Sequence, residues 1–349
     1  MHKTTVISLD DKTWDEIISQ CVAYDFYHTR SYNAMESSEG EDLAVLFVCH
    51  EAEHYIAMPL LIRNISGSSY KDCTSVYGYV GPVSNVETAS IAESLRDYFQ
   101  TSLEAYFREE NIIAAFTRLH PLITTEPIFT NFGSIRALNK TVAIDMELSL
   151  EEQWREFRKS NKSEINQLRK KKGYTVKEVE TEEELSVFVA IYNETMQRVN
   201  AGDYYYFELD YFKQLLNSSD YDATILIALK DGEIAAGAVF TVTHTFMQYH
   251  LAGTAAPYIY DTPMKLILDE ARLKAKSLQL EFLHLGGGVG GSDEDSLFRF
   301  KSGFSKRFFQ FSTWQYIANS EVYQELVDSN GVTESDFFPL YRAPKNNEA

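Results

Sequence analysis

The segment Leu297–Phe304, LFRFKSGF, sets one cation, Lys301, inside an aromatic run that otherwise reads as core. At the end of a short helix a lysine gains about 0.3–1 kcal/mol from the helix dipole, which is enough to account for a cation. It does not account for Phe298, Phe300 and Phe304 around it. An apolar setting penalises an unpaired ammonium and makes a bound anion its natural partner. The other candidates stand at element ends, where sites are commonly built. They are Tyr77 and Tyr79 in VYGYVGP, Arg118 and His120 in FTRLHP, Arg198 in YNETMQRV, Tyr206 in DYYYF and Tyr249 in MQYHLAGT. His120 is the candidate proton acceptor, since an imidazole titrating near about 6.5 suits neutral pH. Plainer readings exist for each. Tyr77 and Tyr79 can cover a glycine-rich turn, His120 can be hydrogen-bonded before Pro121, and Arg198 can pair with Glu194 one helical turn back.

Several other chemistries lack the residues they need. No histidine pair stands at i, i+4 on a helix and no Cys-x-x-Cys occurs, so no metal site is expected. Cys21, Cys49 and Cys73 are odd in number and set among apolar neighbours, as reduced buried thiols would be. A G-x-S-x-G elbow is absent. The glycine run after LEFLHL, GGGVGG, has neither the Rossmann spacing nor a following Lys-Ser/Thr. Those glycines instead permit close approach of backbone or ligand at a strand end.

The elements that must position these residues follow from pattern. A length of 349 residues with 44% apolar content suits two globular domains. A helix is expected from Asp11 to about Tyr24. After it come strands LAVLFVCHE and HYIAMPLLIRNI, a helix over Glu87–Glu110 with Ile91, Leu95, Tyr98, Ser102 and Tyr106 as its stripe, and the strand IIAAFTRL. The second half repeats that order. ATILIALK and EIAAGAVFTVT flank the hairpin signal Asp231-Gly232, and a third strand begins at Phe246. A helix capped by Thr262 carries Met264, Ile267, Leu268, Ala271 and Ala275, and LEFLHL closes the unit. Ser292 is expected to cap a short helix leading to Lys301. The boundaries drawn are 1–149 and 150–349, with a basic helix over 150–172 as connector.

Charge is unevenly spread. The net charge of −19 opposes unspecific wrapping of nucleic acid, and no DNA partner is expected. Yet between Trp154 and Lys177 nine cations face only Glu156 and Glu164, which suggests a defined anionic partner. No stretch approaches the roughly 20 apolar residues of a membrane span, and MHKTTVISLDDKTW lacks a signal-peptide core, so a cytoplasmic location is expected.

Taken in order, FRKSNKSEINQLRKKKGYTVKEV, YNETMQR, MQYHLAGT and LEFLHLGGGV…LFRFKSGF resemble the Fem-type aminoacyltransferases of peptidoglycan bridge synthesis and their acetyltransferase-like relatives, over about Leu150–Tyr316. PLLIRNI…YGYVGPV…FTRLHPL is similar to the N-terminal half of relatives found beside polysaccharide and cell-envelope genes. The resemblance implies an α/β chain with mixed sheets, built as two tandem GNAT-like (acyl-CoA N-acyltransferase fold) domains. It implies an acyltransferase that moves an acyl, acetyl or aminoacyl group to an amine of a cell-envelope, polysaccharide or peptidoglycan precursor, by direct attack and without a covalent intermediate. Lys301 would then lie near substrate phosphate and the reacting carbonyl. Arg198 would contact phosphate, and Tyr206 and Tyr249 would line the cleft between the domains. No tightly bound cofactor is implied. The donor is aminoacyl-tRNA or acyl-CoA, and tRNA is a candidate partner for the basic helix, residues 155–172. The phosphate loop Q/R-x-x-G-x-G/A of acetyl-CoA enzymes is missing from GTAAPYIYDTPMK and from GPVSNVETAS, which favours aminoacyl-tRNA or another carrier over free CoA. The chain departs from the peptidoglycan enzymes where His120 replaces an aspartate, where Asn33 follows Tyr32 in place of a cation, and in lacking a coiled-coil arm after RKKKGY. A non-catalytic module that holds a nucleotide-sugar or other phosphate-bearing ligand between the domains is the competing reading.

Overall fold

The computed structural model describes residues 1–37, 42–289, 294–332 and 334–344. The expected cap at Ser292 lies outside the described residues. The chain divides into one unit of Met1–Leu138 with Gln310–Ala349 and a second of Asn139–Phe309. The expected boundary at 149/150 is therefore displaced, and the last forty residues fold with the N-terminal unit. Backbone pairing is the reason: the final strand forms its ladder with a strand of the first unit, Thr313 opposite Arg118 through Ile317 opposite Ala114.

The first unit runs β1 (His2–Ser8), α1 (Thr13–Ser19), α2 (Arg30–Ser37), β2 (Leu43–Glu51), β3 (His54–Asn64), β4 (Lys71–Thr74), β5 (Val83–Ser84), α3 (Glu93–Glu109) and β6 (Ile112–Arg118). Helix α1 is shorter than expected, and neither β1 nor α2 was foreseen. β2 and β3 pair antiparallel about a turn with Ala52 at φ 54. β4 then pairs antiparallel with β3 and parallel with β6, and α3 is the crossover. The buried stripe of α3 is Leu95, Phe99, Leu103 and Phe107, one residue out of phase with the expected Tyr98, Ser102 and Tyr106. The larger apolar groups take the core face. Cys21, Cys49 and Cys73 are buried free thiols.

The second unit contains the end of β7 (Ser134–Asp145), then α4 (Leu150–Glu156), α5 (Lys159–Lys170), β8 (Thr175–Glu178), α6 (Glu182–Arg198), α7 (Leu209–Leu216), β9 (Asp222–Lys230), β10 (Glu233–Val242), β11 (Phe246–Thr254), α8 (Met264–Ser277), β12 (Phe282–Gly286) and α9 (Ser296–Lys301). β13 (Arg307–Ile317) and α10 (Ser320–Asn330) return the chain to the first unit. The hairpin between β9 and β10 turns at Asp231 (φ 52) and Gly232 (φ 89), the two left-handed residues its sequence demands. β10 and β11 pair antiparallel, β11 and β12 parallel, and α8 is the crossover. This is the pattern of β2, β3, β4, α3 and β6, so strand pairing establishes the internal repeat that pattern alone indicated.

Two local expectations change. The single basic helix is two, α4 and α5, because Phe157 and Arg158 take extended ψ values of 137° and 141° and Phe157 turns into the core. Thr262 does not cap α8. It sits at φ 57 with its hydroxyl donating to Glu164 at 2.9 Å, and Pro263 stands at the cap position. Among the described residues no helix is long and apolar enough to cross a membrane.

Candidate functional site

The parallel pairing of β11 with β12 lasts only from Phe246 opposite Phe282 to Gln248 opposite His284. Beyond it β11 stays with β10 through Thr254, helped by a bulge in β11 opposite Val239, while β12 continues with β7. The two strands therefore part, and a wedge opens at their carboxyl ends, where α/β sheets usually place ligands. Tyr249 is the first residue of β11 beyond the last pair. Gly286 and Gly287 end the other side, and Gly286 has φ 74.

Lys301 reaches this wedge from α9. Asp295 caps that helix by accepting from Phe298 N at 2.8 Å, while Phe298 and Phe304 anchor it in the core. The Lys301 ammonium donates to Gly287 O at 2.8 Å and stands 5.6 Å from the centre of the Tyr249 ring. Lys301 is only 8% exposed. Burial pushes its pKa from 10.5 down to about 7, against the smaller upward pull of Asp295. A lysine so placed exchanges its proton near neutrality, which an exposed lysine does not do. Burial likewise keeps the Tyr249 phenol protonated.

Arg198, on the same unit, is held elsewhere. Arg198 donates to Thr254 O at 2.9 Å and to Thr195 Oγ1 at 3.1 Å, and lies 3.6 Å from Glu194. Thr254 is five residues past Tyr249 on β11, about 16 Å at ~3.3 Å per residue. Arg198 thus pins the end of α6 to the end of β11. Tyr206 is 42% exposed beyond that helix. In the first unit, Tyr77 and Tyr79 flank Gly78, whose φ of 125 leaves room for the Tyr27 ring; an added Cβ would fall 2.1 Å from that ring. Tyr79 packs edge-on against Phe311 at 5.1 Å, and Arg118 stands 5.2 Å from the centre of the Phe116 ring.

His120 stands in a buried cluster of the first unit. Its side chain is fully buried, with Nε2 3.1 Å from Asp25 Oδ2 and Nδ1 accepting from Leu122 N at 3.2 Å. A backbone N–H can only donate, so Nδ1 is the acceptor and Nε2 carries the proton toward Asp25. Both nitrogens are committed and neither faces solvent. Beside it His28 bridges Asp25 N and Val80 O, and burial, seconded by His120, holds its pKa down at about 3. The cluster locks the loop after β6. His120→Ala is accordingly expected to lower stability by about 1–3 kcal/mol by leaving the Asp25 carboxylate buried without this donor. Turnover should stay within a few-fold of the parent. Urea denaturation beside a rate assay tests this, and a hundredfold rate loss at unchanged stability would reverse the assignment.

The basic segment is less bare than its sequence reads. Arg169 pairs with Asp269 and Glu270, Lys172 with Asp261, and Lys177 with Glu180 and Glu184. Among the described residues Arg158, Lys159, Lys162, Lys170 and Lys171 have no carboxylate partner. They form two small groups at the ends of α5 where the sequence suggested one continuous patch.

Residues 128–233 match the model of the FemAB family. A search of curated proteins finds no match. Among solved structures, FemX is similar with a TM-score of 0.74 at 13% identity, over 93% of this chain and 99% of FemX. L-PGS from Bacillus licheniformis is similar with a TM-score of 0.57 at 12% identity, over 93% of this chain and 97% of L-PGS. The resemblance read from sequence is thus supported by a family match over part of the chain and by a fold shared with FemX.

Proposed function

We propose that this chain transfers an aminoacyl or other carrier-bound acyl group to an amine of a cell-envelope precursor, with Lys301 at the reacting carbonyl. The observation that carries the reading is the wedge between β11 and β12, into which the buried Lys301 projects beside Tyr249 with a pKa near 7. The FemAB match and the likeness to FemX support the same class. The amine attacks the carbonyl carbon, a C–N bond forms, and the bond from that carbon to the carrier oxygen or sulfur breaks. The Lys301 ammonium stabilises the oxyanion and hands a proton to the departing atom. The proton shed by the attacking amine recharges it, so the balance closes without a covalent enzyme intermediate.

The donor in this reading is an aminoacyl-tRNA or another carrier rather than free CoA. Acetyl-CoA enzymes rest the pyrophosphate on amides at a helix N-terminus. Here that end of α8 is flanked by two carboxylates: Asp261, held by Lys172 at 2.7 Å and Tyr174 at 2.6 Å, and Glu164, bound to Thr262 and Lys265. The Lys172 and Tyr174 hydrogen bonds lower the Asp261 pKa, and for Glu164 the upward push of burial is outweighed by the Lys265 and Thr262 bonds, so both stay charged and commit the two lysines at that end, Lys172 and Lys265, to carboxylates instead of a pyrophosphate. Calorimetric titration is expected to show charged tRNA binding about tenfold or more tightly than acetyl-CoA, a difference of about 1.4 kcal/mol. Tight acetyl-CoA binding with turnover would overturn the donor assignment. A sugar nucleotide that binds while neither donor does would replace catalysis with a binding module.

A further inference from the structure

β1 is the outermost strand of the first unit's sheet. It pairs with β2 over all seven of its residues, His2 opposite Glu51 through Ser8 opposite Val45, without a register shift. No strand among the described residues pairs with its other side. Alternate residues of an edge strand turn their N–H and C=O away from the neighbour they already have, so an open edge offers a row of unpaired groups to another strand. Outside the ladder, Ser8 O accepts from Asp11 N at 3.1 Å, and β1 makes no other backbone bond among the described residues.

Edges are usually guarded by shortness, committed charge, proline or a bulge. The outermost strand of the second unit, β8, has four residues, with Lys177 paired to Glu180 and Glu184, and Glu178 held by Lys274 and Thr224. β1 has no such guard. One face is anchored on α3, where His2 stacks on Tyr98 at 4.4 Å and Thr4 Oγ1 meets the Tyr98 hydroxyl at 2.8 Å. Val6, next on that face, is 41% exposed, an apolar group at an open edge.

Charge gives the edge a direction. It begins with His2 and Lys3 and runs into Asp10 and Asp11. Glu51 holds His2 and Asp11 accepts from Thr13, whereas Lys3 and Asp10 have no partner of opposite charge among the described residues. A second copy laid antiparallel brings the cationic start of each strand to the acidic end of the other, and a parallel copy sets like charges together. Centred on Val6, the antiparallel register puts the two valines opposite each other and Lys3 opposite Leu9, beside Asp10 and diagonal to Asp11 of the second copy.

We infer that two copies of this chain associate through antiparallel β1 strands, with Val6 on the two-fold axis and Lys3 against Asp10 and Asp11 of the second copy. The contact is isologous and consumes the edge of both copies, so it closes as a dimer. One strand buries little area, so the dimer is weak and reversible.

The inference does not depend on acyl transfer, and its test reads association alone. Sedimentation velocity of the full chain, from dilute to near-millimolar protein, is expected to show a monomer–dimer equilibrium. Val6→Lys sets two ammonium groups face to face and is expected to weaken dimerisation about fivefold or more at an unchanged melting temperature. Lys3→Glu should weaken it as well, and adding Asp10→Lys to that variant should restore it, because the pair of changes reverses both ends of one contact. Val6→Cys should form a disulfide-linked dimer under mild oxidation, since directly opposed side chains have their Cβ atoms about 4.5–5.5 Å apart. Val187→Cys, 42% exposed on α6, should not. A chain that sediments as a monomer at every concentration, a dimer that Val6→Lys and Lys3→Glu leave intact, or equal cross-linking at positions 6 and 187 would overturn the inference.

Discussion

Replacing Lys301 with methionine is expected to cut acyl transfer by a factor on the order of 10² to 10³, the scale of losing one oxyanion donor, while leaving the protein as stable as before or more so. The two effects have one origin. Burial pushes Lys301 from its ordinary 10.5 down to about 7. Between those values the unfolded chain still holds a proton that the folded chain has released, so this group makes stability rise with pH by up to about 1.4 kcal/mol per unit. Below pH 7 both states are protonated, and the folded protein carries the full cost of a buried ammonium. Methionine fills similar space without the charge. The variant is therefore expected to exceed the parent in stability at pH 6, and the difference should shrink steadily toward pH 10. Denaturant melts across that range, paired with single-turnover rates, separate this from a helix cap. A cap would lose at most about 1 kcal/mol on substitution and keep its activity. A Lys301→Met protein with full turnover would remove Lys301 from the reaction.

Lys301 was legible in sequence because local context sufficed: a cation among Phe298, Phe300 and Phe304 contradicts the surrounding pattern whatever the fold. The β9–β10 hairpin was legible for the same reason, since Asp231-Gly232 supplies both left-handed residues by itself. What escaped was decided at long range. His120 reads as a proton acceptor, yet Asp25, ninety-five residues away, accepts a hydrogen bond from its Nε2. Arg169 and Lys172 read as a bare cationic face because their partners Asp269, Glu270 and Asp261 come from α8 and the loop before it. The wedge itself depends on a bulge in β11 opposite Val239 and on three paired residues between β11 and β12, and no short-range signal sets how long a parallel ladder runs. Asn161 lies inside a segment that sequence singles out, FRKSNKS, but nothing in that basic run marks it apart from its neighbours. Only burial distinguishes it.

The largest stability effect is expected at Asp269, on α8. A charged residue followed three positions later by Arg272 reads as a solvated helix face, but the two are 1% and 4% exposed. Arg272 donates to Asp269 Oδ1 through Nε at 3.0 Å and Nη2 at 2.7 Å, and through Nη1 to Gln153 Oε1 at 3.0 Å. Its guanidinium lies 5.4 Å from the centre of the Phe157 ring, and Arg169 completes the set at Asp269 Oδ2. Through these bonds α8 holds α4, the extended break at Phe157 and α5 in one arrangement. Asp269→Ala leaves the Arg272 charge buried without its partner, and loss of one member of such a pair costs about 3–5 kcal/mol. Asp269→Leu combined with Arg272→Met should recover most of that loss, because packing replaces a desolvated pair at little net cost. Arg169→Gln, at the half-exposed edge, should cost no more than about 1 kcal/mol. Chemical denaturation of the four proteins at neutral pH provides the check. A double variant as unstable as Asp269→Ala would mean that the ion pair itself, and not merely the avoidance of a lone buried charge, keeps α5 against α8.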